Sequence, residues 1–237
     1  MNAVAGGGSF VSFPALVFAG VPPVLANASS TVALFPGALA TMWVMRRDIA
    51  RWRGLTLRLL LPVSLAGGLA GAALLLVTPA KSFDAVIPWL MLAATLTFAF
   101  GARAGAALRR HVRISSAALL VLQFVLGIYG GYFGAAVGIM LMAGWSLVGG
   151  AQTAGGDLKA IAPVRVLLVG SMNGMAVLTF IGAGAVRWPQ TLVMLVAAIA
   201  GGWAGARLAQ RLTSRQTRTF VLVVTSVMTA AFFWRGT

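Results

Sequence analysis

Two glycine clusters and one arginine carry most of the chemistry open to this sequence. Gly6, Gly7, Gly8 and Ser9 open one apolar segment, and the stretch Gly127–Gly138, GIYGGYFGAAVG, interrupts another. Glycine weakens a helix, yet a helix is the simplest way for a chain to cross a bilayer. A helix broken inside the membrane leaves unpaired amide N–H groups at its new N-terminus, and these together with the helix dipole favour an anion. Lipid cannot satisfy such a gap, so water or solute must line it. The second half-helix is expected to begin near Gly134–Gly138 and its counterpart near Gly6–Ser9, with glycine permitting close backbone approach and Ser9 able to cap a helix or donate to a ligand. The plainer alternative at both places is tight helix packing, which glycine also permits.

Polar side chains inside apolar segments come next. Asn27, Ser29, Ser30 and Thr31 open one segment as NASST. Arg165 lies several residues inside another, in APVRVLL, where a buried cation is costly and usually functional. Its plainer reading is snorkelling of the guanidinium to the inner surface. Asn173, in SMNGM, sits deeper and serves equally well as an interhelical hydrogen bond or as a ligand contact. Asn2 and Gln123 are weaker candidates of the same kind. The three acids, Asp48, Asp84 and Asp157, fall in expected loops, as does the single histidine, His111. No carboxylate is therefore expected within a span to carry a proton or bind sodium. No Ser/His/Asp set, phosphate loop or metal-ligand cluster is evident. The reading is of a protein that is not an enzyme and calls for no cofactor and no metal.

These residues need elements to position them. With 60% hydrophobic and only 9% charged residues in 237, and a mean hydropathy of +0.96, the chain lacks the polar surface of a soluble domain. Apolar runs of bilayer length recur, at 3–20, 26–45, 55–77, 85–101, 116–133, 137–150, 160–182, 188–206 and 219–234. The fold class is an all-α polytopic membrane protein, with the lipid bilayer as its surroundings. The net charge of +15 sits in short loops between these runs, as in cytoplasmic membrane loops, and does not indicate nucleic acid. Absence of cysteine excludes disulfides and thiol chemistry, and no basic leader precedes the first apolar run.

A repeat organises the spans. Ala66–Ala72 reads AGGLAGA and Ala200–Ala206 reads AGGWAGA. Each contains a Gly-x-x-x-Gly spacing, Gly67/Gly71 and Gly201/Gly205, read first as close helix packing. The same offset of 134 pairs 26–45 with 160–179, 55–77 with 189–211, and 85–101 with 219–235. Residues 7–20 pair with 137–150 at a slightly shorter offset. The division expected is 1–113 and 114–237. The run 116–133 has no upstream counterpart, so an opening helix is expected to be missing from the first repeat through a misassigned start or a shortened gene. If 116–133 and 137–150 form a hairpin that returns to its own side, every Lys and Arg faces one side except Lys81, Arg187, Arg235 and the intraspan Arg165. A single crossing there would send the basic loop 207–218 to the opposite side. The hairpin also makes the two repeats inverted in topology, each with a broken, re-entrant first helix, and places both breaks near the membrane midplane. Trp43, Trp52, Trp89, Trp188 and Trp234 fall at expected interfaces, while Trp145 and Trp203 are expected to be packed.

The strings NAVAGGGSFVSFPALVFAGVPPVLANASSTVALFPGAL and GIYGGYFGAAVGIMLMA resemble the sulfite exporter TauE/SafE family of membrane transporters over nearly the whole chain. The resemblance implies a bacterial inner-membrane permease for small anions, commonly sulfite, sulfonates or other organic acids. Members are usually longer at the N-terminus. In the family a basic residue, typically lysine, follows a short polar stretch early in the equivalent second-half span, and Arg165 stands there; Ile161 and Ala162 replace the usual polar residue. The expectation is an exporter working by alternating access, its substrate bound by Gly6, Gly7, Gly8, Ser9, Asn27, Ser29, Ser30, Thr31, Gly134, Gly138, Arg165 and Asn173. A channel-like conduit and a non-transporting scaffold are the alternatives, and a homodimer is kept open.

Overall fold

The computed structural model describes residues 8–51, 57–108, 115–145, 158–211 and 213–235. Asn2, Gly6, Gly7, Trp52, His111 and Asp157 lie outside the described residues. Within them the regular structure is helical throughout, and the helices are α1 (Ser9–Phe18), α2 (Pro23–Val44), the short α3 (Arg46–Arg51), α4 (Leu57–Val77), α5 (Ala80–Leu108), α6 (Ser116–Tyr132), α7 (Val137–Trp145), α8 (Leu158–Gly182), α9 (Trp188–Arg211) and α10 (Ser214–Arg235). Among the described residues, four segments are long and apolar enough to cross a membrane: Pro23–Val44, Leu57–Val77, Ala80–Gly101 and Ala162–Gly182.

Local chemistry accounts for several boundaries. Pro23 opens α2 at the first helical position, where a missing N–H costs nothing. Ser115 caps α6, its hydroxyl accepting from the Ala118 amide at 3.2 Å. Gly20, with φ of 83°, ends α1, and the Val21 amide reaches back to the Leu16 carbonyl at 3.0 Å. Helix α5 begins at Ala80, earlier than the expected 85. Asp84 therefore sits in a helix rather than a loop, though near its start and exposed.

The packing has two apolar centres. One gathers Phe10, Phe13, Phe83, Phe133, Phe180 and Phe232; the other gathers Leu60, Leu119, Leu141, Trp145, Leu168 and Met172. Leu192, Val193, Val196, Phe220, Val223 and Val227 are exposed around the outside. A coat of this kind suits lipid and would be unfavourable in water. Trp43, Trp188 and Trp234 are exposed near helix ends, as interfacial anchors are, whereas Trp89, also exposed, lies nine residues inside α5 because that helix starts earlier than expected. Trp145 is buried as expected, but Trp203 is not: it is 61% exposed and stacks against the Arg207 guanidinium. Helix α9 makes its main helix contact with α2, which leaves Trp203 on its outer side.

Contact directions define how the helices run. Helix α7 doubles back along α6. A Cβ at Gly130 would meet Val137 Cγ2, one at Gly144 would meet Leu122 Cδ2, and Trp145 Nε1 donates to Gln123 Oε1 at 3.3 Å. Gln123 Nε2 in turn donates to Ser64 Oγ at 2.7 Å, tying the hairpin to α4. This buried amide completes its bonds within the packing and is not part of a ligand site. Helices α2 and α8 cross in opposite senses, with Gly170 against Met42 and Gly174 against Phe35. Helices α5 and α10 meet through Thr95 Oγ1 and Thr229 Oγ1, 3.1 Å apart and 134 residues apart in the chain.

Candidate functional site

The helix break falls where the glycines suggested. Helix α6 ends at Tyr132, and α7 starts at Val137. Between them Gly134 has φ of 77° and Ala136 has φ of 60°. The first is natural for glycine, whereas alanine in the left-handed region is strained by roughly 1–2 kcal/mol. The turn is held from three sides. Asn27 Nδ2, reaching in from α2, donates to the Tyr132 carbonyl at 2.8 Å. Tyr129 Oη donates to the Ala135 carbonyl at 2.9 Å. Phe133 packs edge-on against Phe13 of α1, with ring centroids 5.7 Å apart. Phe13 lies about one turn beyond Ser9, so the α6–α7 turn packs directly against the short opening helix.

The new N-terminus of α7 faces one stripe of α8. Residues 165, 169 and 173 are spaced four apart and share a helix face. A Cβ at Gly138 would lie 3.9 Å from both Arg165 Cδ and Val169 Cγ2, and one at Gly134 would lie 3.8 Å from Asn173 Oδ1. Gly138 thus lies beside Arg165 in the first turn of α7, and Gly134, in the turn before it, lies beside Asn173 about two helical turns further along α8. The first turn of any α-helix leaves N–H groups without intrahelical acceptors. Arg165 Nη1 points at Met142 Sδ, 2.8 Å away, its hydrogen-bond partner among the described residues. A thioether is a weak acceptor for a cation. Asn173 Oδ1 is buried and has no hydrogen-bond partner among the described residues. Beside Arg165 is a narrow crevice lined by Leu141, Met142, Trp145, Arg165 and Leu168.

The polar run of α2 is used differently. Asn27, Ser29 and Ser30 are almost fully buried. Asn27 braces the α6–α7 turn as described. Ser29 Oγ accepts from the Arg187 amide at 2.9 Å, fixing the entry to α9. Ser30 Oγ pairs with Ser12 Oγ of α1 at 2.6 Å, and Thr31 Oγ1 donates to the Asn27 carbonyl of its own helix at 2.9 Å. Asn27 and Ser30 thus brace the two interrupted segments. Gly8 precedes α1 and Ser9 is its first residue, with no side chain capping the start. The sequence reading passed over Met142, Tyr129 and Tyr132. A signal existed for the last two, since they are the only tyrosines in the chain and both lie in the interrupted stretch.

Comparison with known proteins follows from this geometry. A family model described as sulfite exporter TauE/SafE matches residues 1–232. A probable membrane transporter protein, ORF9, from Sinorhizobium sp is 30% identical over 229 residues, covering 94% of this chain and 84% of that protein. The probable membrane transporter protein YfcA of Escherichia coli strain K12 is 27% identical over 235 residues, covering 99% and 85%. A probable membrane transporter protein of Haemophilus influenzae is 31% identical over 234 residues, covering 97% and 88%. No solved structure matches.

Proposed function

The chain belongs to the sulfite exporter TauE/SafE family of multi-pass membrane transporters, and from that premise we propose that it exports small anions such as sulfite, sulfonates or other organic acids. The observation that carries the reading is Arg165: a cationic side chain inside an apolar helix, its Cδ beside Gly138 in the first turn of α7 and its guanidinium one turn further on, with the Met142 thioether as its described partner. A buried cation so weakly paired is costly unless an anion completes it. The amides of the first turn of α7 add a positive field beside the Arg165 stem. Asn173 offers a further polar contact, with its amide nitrogen able to face the anion if the group turns over.

The mechanism proposed is alternating access. The 134-residue offset, the opposed crossing of α2 and α8, and the returning α6–α7 hairpin support two inverted repeats, divided at about residue 113. On this reading Gly6, Gly7, Gly8 and Ser9 face the substrate from the first repeat. Asn27 and Ser30 act chiefly by bracing the two interrupted segments, Ser29 by holding the start of α9, and Thr31 is bonded within its own helix. With the cytoplasm negative, outward movement of a monovalent anion gains roughly 2.3 kcal/mol per 100 mV, so export needs no coupled proton.

The test is flux in proteoliposomes across a panel of sulfite, sulfate, sulfoacetate and simple carboxylates. Saturable uptake with counterflow for at least one anion supports the carrier. Unsaturable conduction would replace it with a channel, and no flux or binding for any member would leave a scaffold.

A further inference from the structure

Met142 stands against the charge of Arg165 with little to offer it. Arg165 Nη1 donates to Met142 Sδ at 2.8 Å, from α8 to α7. Thioether sulfur is a weak acceptor and satisfies a guanidinium poorly. The walls around the pair are apolar, since Leu141, Trp145 and Leu168 line the same crevice. The one polar group among them, Trp145 Nε1, is a donor already engaged by Gln123 Oε1 and cannot serve a cation. The acceptor that Arg165 does have is therefore one that chemistry can improve. Met142 and Arg165 are both half-buried, so the sulfur can be reached, whereas Met91 and Met172 are 0% exposed. Other methionines, such as Met140 and Met194, are half-buried too. Met142 is set apart because its sulfur already accepts from a cation.

We propose that Met142 is an oxidation site: a peroxide converts its thioether to the sulfoxide, whose oxygen pairs with Arg165 and takes the place of the transported anion. In the step, sulfur attacks one peroxide oxygen, the O–O bond breaks and an S–O bond forms. Sulfur gives up two electrons and the peroxide takes them up; with hydrogen peroxide the second oxygen leaves as water. The product carries a polar S–O group where the side chain had been apolar. Its oxygen lies one bond beyond a sulfur that already touches Nη1. Methionine turns easily about its side-chain bonds, so a change of rotamer brings that oxygen onto the guanidinium. A charge-assisted hydrogen bond to oxygen then replaces the contact with sulfur. An anion must displace this bond to reach Arg165, so oxidation lowers affinity, and enzymatic reduction of the sulfoxide restores it. The inhibition rests on the export reading of Arg165, whereas the modification and the pairing do not.

The probe is hydrogen peroxide, given in graded doses to the purified chain in detergent, with peptide mass spectrometry following each methionine. Met142 sulfoxide is expected at doses that leave Met91 and Met172 intact. After the peroxide is removed, binding of sulfite, sulfate or sulfoacetate, whichever the untreated protein takes, should weaken at least tenfold in step with Met142 oxidation. It should recover with the two methionine sulfoxide reductases, one for each epimer. Met142→Leu, which cannot be oxidised there, should lose this response, and Met142→Gln, which keeps a carbonyl oxygen at similar reach, should bind weakly without peroxide. A second readout needs no anion. The sulfoxide has a partner in wild type and none in Arg165→Ala, so oxidation should lower the thermal midpoint of Arg165→Ala further. The shift of each protein carrying Met142→Leu is subtracted first, which removes the effect of the other methionines. Met142 that stays reduced until Met91 and Met172 react, or equal midpoint shifts in the two proteins, would overturn the proposal. Affinity that ignores Met142 oxidation would overturn the inhibition. Failure of the export reading shows separately: the untreated protein would bind no anion while the midpoint contrast persisted.

Discussion

Asn27 Nδ2 and the Tyr132 carbonyl are joined at 2.8 Å across 105 residues of chain, and this bond holds the end of one interrupted helix to the span that follows the other. It places a donor on a carbonyl that α6 has no further turn to satisfy.

Removal of that donor should therefore act on stability before it acts on chemistry. Asn27→Ala leaves a carbonyl unpaired inside the protein, at a cost of about 1–3 kcal/mol. A lowered thermal midpoint in detergent is expected, along with weakened anion binding. An unchanged midpoint would show that the turn is held without Asn27.

The turn itself should respond asymmetrically. Gly134 and Ala136 both have positive φ. Gly134→Val puts a branched side chain into the left-handed region and should destabilise by more than the roughly 1–2 kcal/mol that region costs an ordinary residue. Ala136→Gly relieves the same strain while adding unfolded-state entropy, so it should be close to neutral. Thermal unfolding of both variants checks the contrast, and equal losses would contradict the geometry.

Asn173 offers a way to separate stability from binding. Its Oδ1 is buried without a described partner, beside Gly134. Asn173→Leu removes an unsatisfied polar atom and should leave stability equal or raised while weakening anion affinity. Asn173→Asp adds negative charge near the proposed site and should weaken affinity further. Isothermal titration alongside thermal unfolding reads both effects. Affinity unaltered in both variants would take Asn173 out of the site.

Much of the architecture was legible because it is written in local composition. The spans follow from apolar runs of bilayer length, and the α6–α7 break follows from GIYGGYFGAAVG together with the charge imbalance of the loops. Arg165 and Gly138 were both candidates from their residue types, and the Arg165 side chain passes beside Gly138. The employment of NASST was not legible. Ser29 bonds the Arg187 amide and Ser30 bonds Ser12, and neither bond leaves a trace in the residues around it. A serine in an apolar run reads the same whether it meets a ligand or a distant main-chain group. The heptads of α4 and α9, which differ only at Leu69 and Trp203, make the same point: Gly67 and Gly71 are covered while Gly201 and Gly202 are open.

The most direct test of the anion site is binding of sulfite, or whichever anion of the panel the wild type transports, to Arg165→Ala and Arg165→Lys. Loss of a charge-assisted hydrogen bond of about 1.5–3 kcal/mol corresponds to roughly 10- to 150-fold weaker binding. Arg165→Ala should show at least that loss with its fold intact, and Arg165→Lys, which keeps the charge but not the planar fork, should fall between the two. Equal affinity in wild type and Arg165→Ala would contradict the account.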